Sequence, residues 1–445
     1  MADIRKEEFD EEMERREFRH KRRVRNQIIS YIFAVVFLAA IIVGASFGVH
    51  KILTVMNDKK QAKLLQEQLE EMAESQIDPV VVEAPDSSEE PVEEEEKSYL
   101  DEIVDACIAE MPIEDKVAGL FFITPEALTG TDVAIRAGDT TKEKLGQYAV
   151  GGLIYFEQNM KSKEQLTEML SNTRNWSKYP LFIGVDEEGG SVSRVVKAGL
   201  ADNPGSMGDI GASGDAAKAK EAGSTIASYL SGYGFNLDFA PVADVLLEGN
   251  TTIGDRSFGS NAGEVGGMVA ANVEGLQEGG VSACLKHFPG LGSTPEDTHD
   301  GMVTVEKTLE DFETTDFISF QAGIDAGADF VMVSHLSVPN ITGDNTPSSV
   351  SGKMITEILR GQLGFNGVVI TDAMDMGAIT EYYTADEAAI KALQAGADMI
   401  LMPEDFETAY NGVLQAVNDG TLSEDRINES LRRIYRVKYK DKVEE

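Results

Sequence analysis

The chain has 445 residues, with 39 Lys and Arg against 77 Asp and Glu, a formal charge of −38, 42% apolar residues and two Cys. That length allows one large domain or two to three ordinary ones, and the apolar content is that of a folded chain. The acidity excludes a protein that wraps nucleic acid, which needs a basic face, and Cys107 and Cys284 are too few for a disulfide-built scaffold and read as two buried thiols.

Residues 1–99 hold 22 acidic and 14 basic residues, a net of −8, which leaves −30 on residues 100–445. Residues 1–25 form a charged segment with seven Lys or Arg between Arg15 and Arg25. Residues 26–49 (NQIISYIFAVVFLAAIIVGASFGV) carry no charge. At about 1.5 Å of rise per residue such a run exceeds the roughly 30 Å hydrocarbon core, so a transmembrane helix is expected. It is too long for the apolar region of a cleaved signal peptide, and GASFG (44–48) is a poor cleavage site, so the expectation is an uncleaved signal anchor. The basic cluster before the span outweighs Lys51, Lys59, Lys60 and Lys63 after it, which places the N-terminus in the cytoplasm and the bulk of the chain outside the cell. Residues 50–75 read as a juxtamembrane segment ending in a short charged helix, Asp58–Ser75. Residues 76–99 are rich in Pro and Glu, with ten acids and no basic residue from Glu74 to Glu96, and are expected to be a disordered acidic linker.

From about Leu100 short apolar runs alternate with helical segments. The runs are AGLFFIT (118–124), GGLIYF (151–156), LFIGVD (181–186), NLDFAPV (236–242), SACLKHF (282–288), DFVMVSH (329–335), GVVITD (367–372) and DMILMP (398–403). Expected helices include Lys163–Asn175, Asp215–Tyr233, Gly263–Glu278, Leu309–Ala326, Ser351–Gln362, Ala385–Gly396 and a closing Ser423–Lys440. Runs of four to six apolar residues suit strands buried on both faces, and their alternation with helices predicts a parallel sheet. Eight such units over residues 100–445 fit an α/β fold of the (β/α)8 TIM-barrel type. A doubly wound open sheet is the alternative, weakened by the lack of a GxGxxG or GxxxxGK[ST] turn.

A barrel places its chemistry at the C-terminal ends of its strands. Reading the runs to their ends gives Asp186 and Glu187, Asp244, Lys286 and His287, His335, and Asp372. His20 and His50 flank the apolar span, and the other three of five His (His287, His299 and His335) lie at or just beyond strand ends. Three on one face, with Lys and carboxylates, read as a site rather than as unrelated structural histidines. In the loop KHFPGLGSTPEDTHDG (286–301), Asp297 and His299 stand two apart, a spacing that allows a carboxylate to orient an imidazole and tune it as general acid/base. With Asp372 at a strand end, one carboxylate and one proton donor are the minimum kit of a retaining glycosidase. Divalent-metal catalysis is the competing chemistry, but no HExxH or His-plus-carboxylate spacing is present and Lys286 would repel a cation, so no metal is expected.

Several of these pieces, in order, resemble glycoside hydrolase family 3, and within it the β-N-acetylglucosaminidase (β-N-acetylhexosaminidase) branch. The resemblance covers about Asp101 to Lys440 and rests on IAEMPIEDKVAGLFFI (108–123), GGLIYFEQN (151–159), VDEEGGSVSR (185–194), NLDFAPVADV (236–245), DRSFG (255–259), KHFPG with DTH, MVSHLSVP (332–339), VVITDAMDMGAI (368–379) and RINESLRRIYRVKYK (426–440). It implies Asp372 as nucleophile, His299 as acid/base assisted by Asp297, and Asp186, Arg194, Arg256, Lys286 and His287 as ligands of the terminal sugar. Asp244 and His335 suit either a functional or a structural role. One departure stands out: the family loop commonly reads KHFPGHG, and Leu291 occupies the place of the second His. A second domain, found in many members, has no counterpart after the closing helix, so the barrel is expected to complete its site alone. The resulting expectation is a membrane-anchored, outward-facing retaining enzyme that removes non-reducing N-acetylglucosamine from cell-wall fragments, with no metal or organic cofactor and no nucleic-acid partner. The alternatives are a family 3 β-glucosidase-like hydrolase, which would lack the DxH loop, and a non-catalytic surface sugar-binding protein.

Overall fold

The computed structural model describes residues 98–294 and 301–440. The expected segments 1–25, 26–49 and 50–75 and nearly all of the linker 76–99 lie outside the described residues, as do Asp297 and His299. Among the described residues no helix is long and apolar enough to cross a membrane.

All eight apolar runs form the strands of one parallel sheet. They are β1 (Phe121–Ile123), β2 (Gly152–Ile154), β3 (Phe182–Val185), β6 (Leu237–Asp238), β7 (Ser282–Phe288), β8 (Phe330–Val333), β9 (Val368–Thr371) and β10 (Ile400–Leu401). Two short strands not expected from the sequence, β4 (Glu187–Gly189) and β5 (Val192–Ser193), make an antiparallel hairpin beyond β3. The large sheet runs β10-β1-β2-β3-β6-β7-β8-β9, and a parallel bridge between Ile370 and Met399 closes the ring. The result is an α/β barrel of the TIM type, as the alternation predicted.

The interior explains why strand glycines interrupt the apolar runs. Phe122 points into the barrel and meets Phe239 edge-on at 5.3 Å between ring centroids. A Cβ on Gly152 would lie 2.4 Å from that ring and one on Gly184 2.8 Å from it. The next two strands, β2 and β3, therefore give up side chains so that one large ring can fill the core at native density.

The helices start where short polar side chains satisfy their first N–H groups. Ser98 caps Tyr99–Ala109, Ser162 caps Lys163–Trp176, Asp215 caps Ala216–Tyr233 and Ser423 caps Glu424–Tyr439. Ala219, Ala222, Ile226, Ala227 and Leu230 lie buried along one face of Ala216–Tyr233, at the spacing that turns a helix stripe inward. One expected helix is broken: Leu309–Ala326 is two helices, Leu309–Glu313 and Asp316–Asp325. The break at Thr314-Thr315 places the buried Asp316 carboxylate where Lys307, Ser293 Oγ and Thr315 Oγ1 reach it. Lys353–Gln362 is wound as a π-helix. Both Cys are free; Cys284 is buried as expected, but Cys107 is only half-buried, on the first helix.

Candidate active site

Parallel strands place all their C-terminal ends on one face, and the candidate residues meet there. Asp186 follows β3, Lys286 and His287 end β7, His335 stands two residues past β8, and Asp372 follows β9. The hairpin β4–β5 folds Glu188 and Arg194 back over this face.

A continuous chain of polar contacts joins the five residues read as sugar ligands. Lys286 Nζ, almost fully buried, donates to Asp186 Oδ1 at 2.8 Å and lies 2.7 Å from Glu188 Oε1. Arg256 makes a fork with Glu188, Nε to Oε2 and Nη2 to Oε1, both 2.8 Å. The same Nη2 lies 3.4 Å from His287 Nε2. Arg194 Nη2 stands 3.6 Å from Asp186 Oδ2, with its guanidinium over the Phe156 ring at 5.5 Å. Arg194 Nε is buried with no hydrogen-bond partner among the described residues. Planar Arg–carboxylate forks of this kind fix both orientation and charge.

The electrostatics follow from this pairing. Burial alone would raise the Glu188 carboxyl, but Lys286 and Arg256 outweigh it and hold it down at about 2. Burial would likewise discharge Lys286, and the carboxylates of Asp186 and Glu188 keep it charged. The cations are thus held and charge-balanced by carboxylates, an arrangement suited to a neutral, hydroxyl-rich ligand.

Asp372 is half-buried. Its backbone N–H donates to Val333 O at 2.8 Å, and its Oδ1 accepts the Ala373 N–H at 2.8 Å. Its Oδ2 takes no hydrogen bond among the described residues. Burial pushes its carboxyl up, but the nearby His287 and His335 rings, the Ala373 N–H and Lys286 more than offset this and hold it below the usual carboxylate range. The group is therefore ionised near neutral pH.

Asp244 and His335 have definite places. Asp244, fully buried, accepts His287 Nδ1 at 2.7 Å, His287 N at 3.2 Å, Leu291 N at 2.6 Å and Gly292 N at 3.3 Å. It hooks the whole loop after β7. Leu291 is buried at 4% exposure and uses its N–H on Asp244 and its carbonyl on Asn250. The substitution of Leu for the family's His therefore leaves this loop anchored. Gly290 has φ +140°, and a Cβ there would lie 2.3 Å from Asp316 Oδ1, so only glycine fits that turn. Asn250 Nδ2 also holds Thr294 O at 2.5 Å. Beyond residues 295–300, Thr304 bridges to Ser337.

Sequence reasoning missed Glu188, Asp238 and the second role of Glu187. Glu187 faces away from the mouth and accepts Val195 N at 2.7 Å, Val196 N at 3.2 Å and Tyr229 Oη at 2.9 Å, which seats the helical turn carrying Arg194. Asp238 is fully buried behind it, with Oδ1 on Glu187 N at 2.9 Å and Oδ2 without a hydrogen-bond partner among the described residues. Burial, with Glu187 and Asp186 close by, pushes its carboxyl well above the usual range. The doubled acid Glu187-Glu188 was the only sequence signal, and only the hairpin shows that the two face opposite ways. Among the described residues no group of three or more His, Cys, Asp or Glu is placed to hold a metal ion.

Comparison with known proteins agrees with this geometry. The profile of the Glycosyl hydrolase family 3 N terminal domain matches residues 112–437. A beta-hexosaminidase of Stenotrophomonas maltophilia (strain K279a) is 37% identical over 273 residues, which cover 60% of this chain and 80% of that protein. Beta-hexosaminidase A of Pseudoalteromonas piscicida is 32% identical over 328 residues, 67% of this chain and 54% of that one. The structure of a glycoside hydrolase family 3 beta-N-acetylglucosaminidase from Paenibacillus sp. str. FPU-7 superposes with a TM-score of 0.69 at 33% identity, over 75% of this chain and 64% of that one.

Proposed function

The chain belongs to glycoside hydrolase family 3, and we propose that it is a retaining β-N-acetylhexosaminidase that releases terminal non-reducing N-acetylglucosamine, with peptidoglycan fragments as its substrate. As a glycoside hydrolase related to beta-hexosaminidases it acts on a carbohydrate. One observation carries the reading: Asp372, ionised and with no hydrogen bond to Oδ2 among the described residues, follows β9 beside the Asp186–Lys286–Glu188–Arg256–His287 cluster.

In the proposed reaction the terminal sugar sits on that cluster, its hydroxyls donating to Asp186 and accepting from Lys286, Arg194 and Arg256. Asp372 Oδ2 attacks the anomeric carbon as the glycosidic bond breaks. His299, oriented by Asp297, gives its proton to the departing oxygen. The neutral His299 then takes a proton from water, which attacks the same carbon, frees the sugar and restores Asp372. The uncharged run 26–49 is proposed to hold the enzyme at a membrane with the barrel outside the cell, and the acidic segment 76–99 to give it reach.

The test is hydrolysis of chromogenic β-N-acetylglucosaminide and β-glucoside by the full chain, beside Asp372→Ala and His299→Ala. The expected result is activity on the first sugar only, with both variants down by at least about 10³-fold, since each removes a group that makes or breaks a bond. Activity on the glucoside alone favours the β-glucosidase alternative, and activity on neither favours a sugar-binding protein. The anchor is tested separately: the intact protein should stay with membranes through a high-salt wash, and release would overturn it.

A further inference from the structure

His335 lies fully buried behind Asp372, and its two ring nitrogens are both engaged. Nε2 is 2.9 Å from the carbonyl oxygen of Ala373, and Nδ1 is 2.7 Å from Ser349 Oγ. A carbonyl only accepts, so Nε2 carries a proton and donates to Ala373 O, while Nδ1 pairs with the Ser349 hydroxyl, which can serve as donor or acceptor. Ser349 is itself immobile. It is fully buried, its N–H donates to Ser334 O at 3.1 Å, and its neighbour Ser348 binds Leu336 O through both N–H and Oγ, at 2.8 and 2.6 Å.

Ala373 is the point where this network reaches the reacting carboxylate. Its N–H holds Asp372 Oδ1 at 2.8 Å while its carbonyl is held by His335. On either side, Asp372 N–H donates to Val333 O at 2.8 Å and Met374 N–H to Leu401 O at 2.9 Å. The Asp372-Ala373-Met374 segment past β9 is therefore pinned at three backbone points, of which only the His335 contact comes from a side chain. The Ala373 carbonyl and the Met374 N–H are the two ends of one peptide unit, held by His335 on one side and Leu401 O on the other; loss of the His335 contact leaves that unit held at one end only and loosens the backbone beside Asp372.

We propose that His335 and Ser349 are positioning residues that hold Asp372 for attack through the backbone of Ala373, with Ser349 orienting the ring and His335 fixing the carbonyl. This rests on Asp372 being the nucleophile. Neither residue touches the sugar. Their removal should lower the rate of bond making and leave substrate binding intact, because misplacement of a nucleophile by about 1 Å costs on the order of 10²-fold in rate.

The experiment measures kcat and KM of the full chain on a chromogenic β-N-acetylglucosaminide for His335→Ala, His335→Gln, Ser349→Ala and Asp372→Ala, with and without azide, and a thermal melt of each. The expected result is a kcat lower by about 10–100-fold in His335→Ala, with KM changed by less than about 3-fold. His335→Gln, whose amide N–H can still reach the Ala373 carbonyl, recovers most of that loss, and Ser349→Ala falls between the two. Azide rescues Asp372→Ala, where a small anion can take the missing carboxylate's place, and does not rescue the His335 variants. If His335→Ala fails to fold, His335→Gln against Ser349→Ala carries the same comparison. The proposal is overturned if both folded His335 variants are equally impaired, if kcat stays within about 2-fold of the parent, or if KM rises in step with the loss. An active Asp372→Ala overturns the nucleophile assignment and the clamp together. An inactive one beside a normal His335→Ala overturns the clamp alone.

Discussion

Glu188 sits at 2% exposure between two cations, and its charge is held by them alone. Its carboxyl is at about 2 in the folded chain against an ordinary 4.5, so the stability it supplies is complete above pH 4.5 and is lost as pH falls toward 2. Glu188→Gln should leave Lys286 and Arg256 buried with too few anions, at a cost of about 3–5 kcal/mol near neutrality. It should also flatten the decline of melting temperature between pH 4.5 and 2, which melts across that range measure directly. Asp238 is the opposite case. Its carboxyl is raised, so the folded state favours the protonated form, and stability is lost as pH climbs above the ordinary 3.8. Asp238→Asn keeps the oxygen that accepts Glu187 N–H and removes the titration. The variant should melt above the parent at pH 7 and converge with it near pH 4; a gap independent of pH would exclude the buried acid.

The loop after β7 illustrates how an element carries chemistry it does not itself perform. Asp244 accepts four contacts from His287, Leu291 and Gly292, so one buried carboxylate sets both the His287 imidazole and the path of the chain up to Thr294. Asp244→Ala would leave those donors buried and unpaired, at about 1–3 kcal/mol for each one that water cannot reach. A fall in kcat/KM of at least about 10-fold should accompany the loss of stability, because His287 loses its orienting partner. Circular dichroism melts alongside steady-state kinetics check both. In the hairpin β4–β5, Glu187 points back at Tyr229 and the Val195 and Val196 amides while Glu188 points forward. Alternation along a strand makes adjacent acids face opposite sides, and the sequence alone does not say which side is the site.

The whole barrel is tied at its other end by Asp398, which precedes β10. It is fully buried and meets Arg360 at 2.5 Å, Arg433 at 3.1 Å, Ser430 Oγ at 2.8 Å and Val369 N at 2.9 Å. These partners come from the helix Lys353–Gln362, the closing helix Glu424–Tyr439 and β9, so one carboxylate locks the last helix onto the barrel floor. Asp398→Ala strands two buried guanidiniums and should cost about 3–5 kcal/mol. The melting temperature should fall by roughly 5–15 °C at this chain length. Activity per folded molecule at low temperature should persist, since the site lies at the opposite strand ends. Loss of activity without loss of stability would contradict that separation.

The eight strands, most helix limits and the gathering of Asp186, Lys286, His287, His335 and Asp372 at strand ends were readable from residue order because each depends on local periodicity or on a motif that holds its place in the chain. A buried parallel strand must be an apolar run, and a helix must begin at a side chain able to cap it. Where Leu309–Ala326 breaks, which of Glu187 and Glu188 faces the mouth, and why Leu291 is tolerated were settled only in three dimensions. Asp238 and Asp244 are separated by tens of residues from the groups they bind, and no local pattern records such a pairing. The same holds for His335: its place past β8 was legible, but its hold on the Ala373 carbonyl exists only because β8 and β9 are neighbours in the closed sheet.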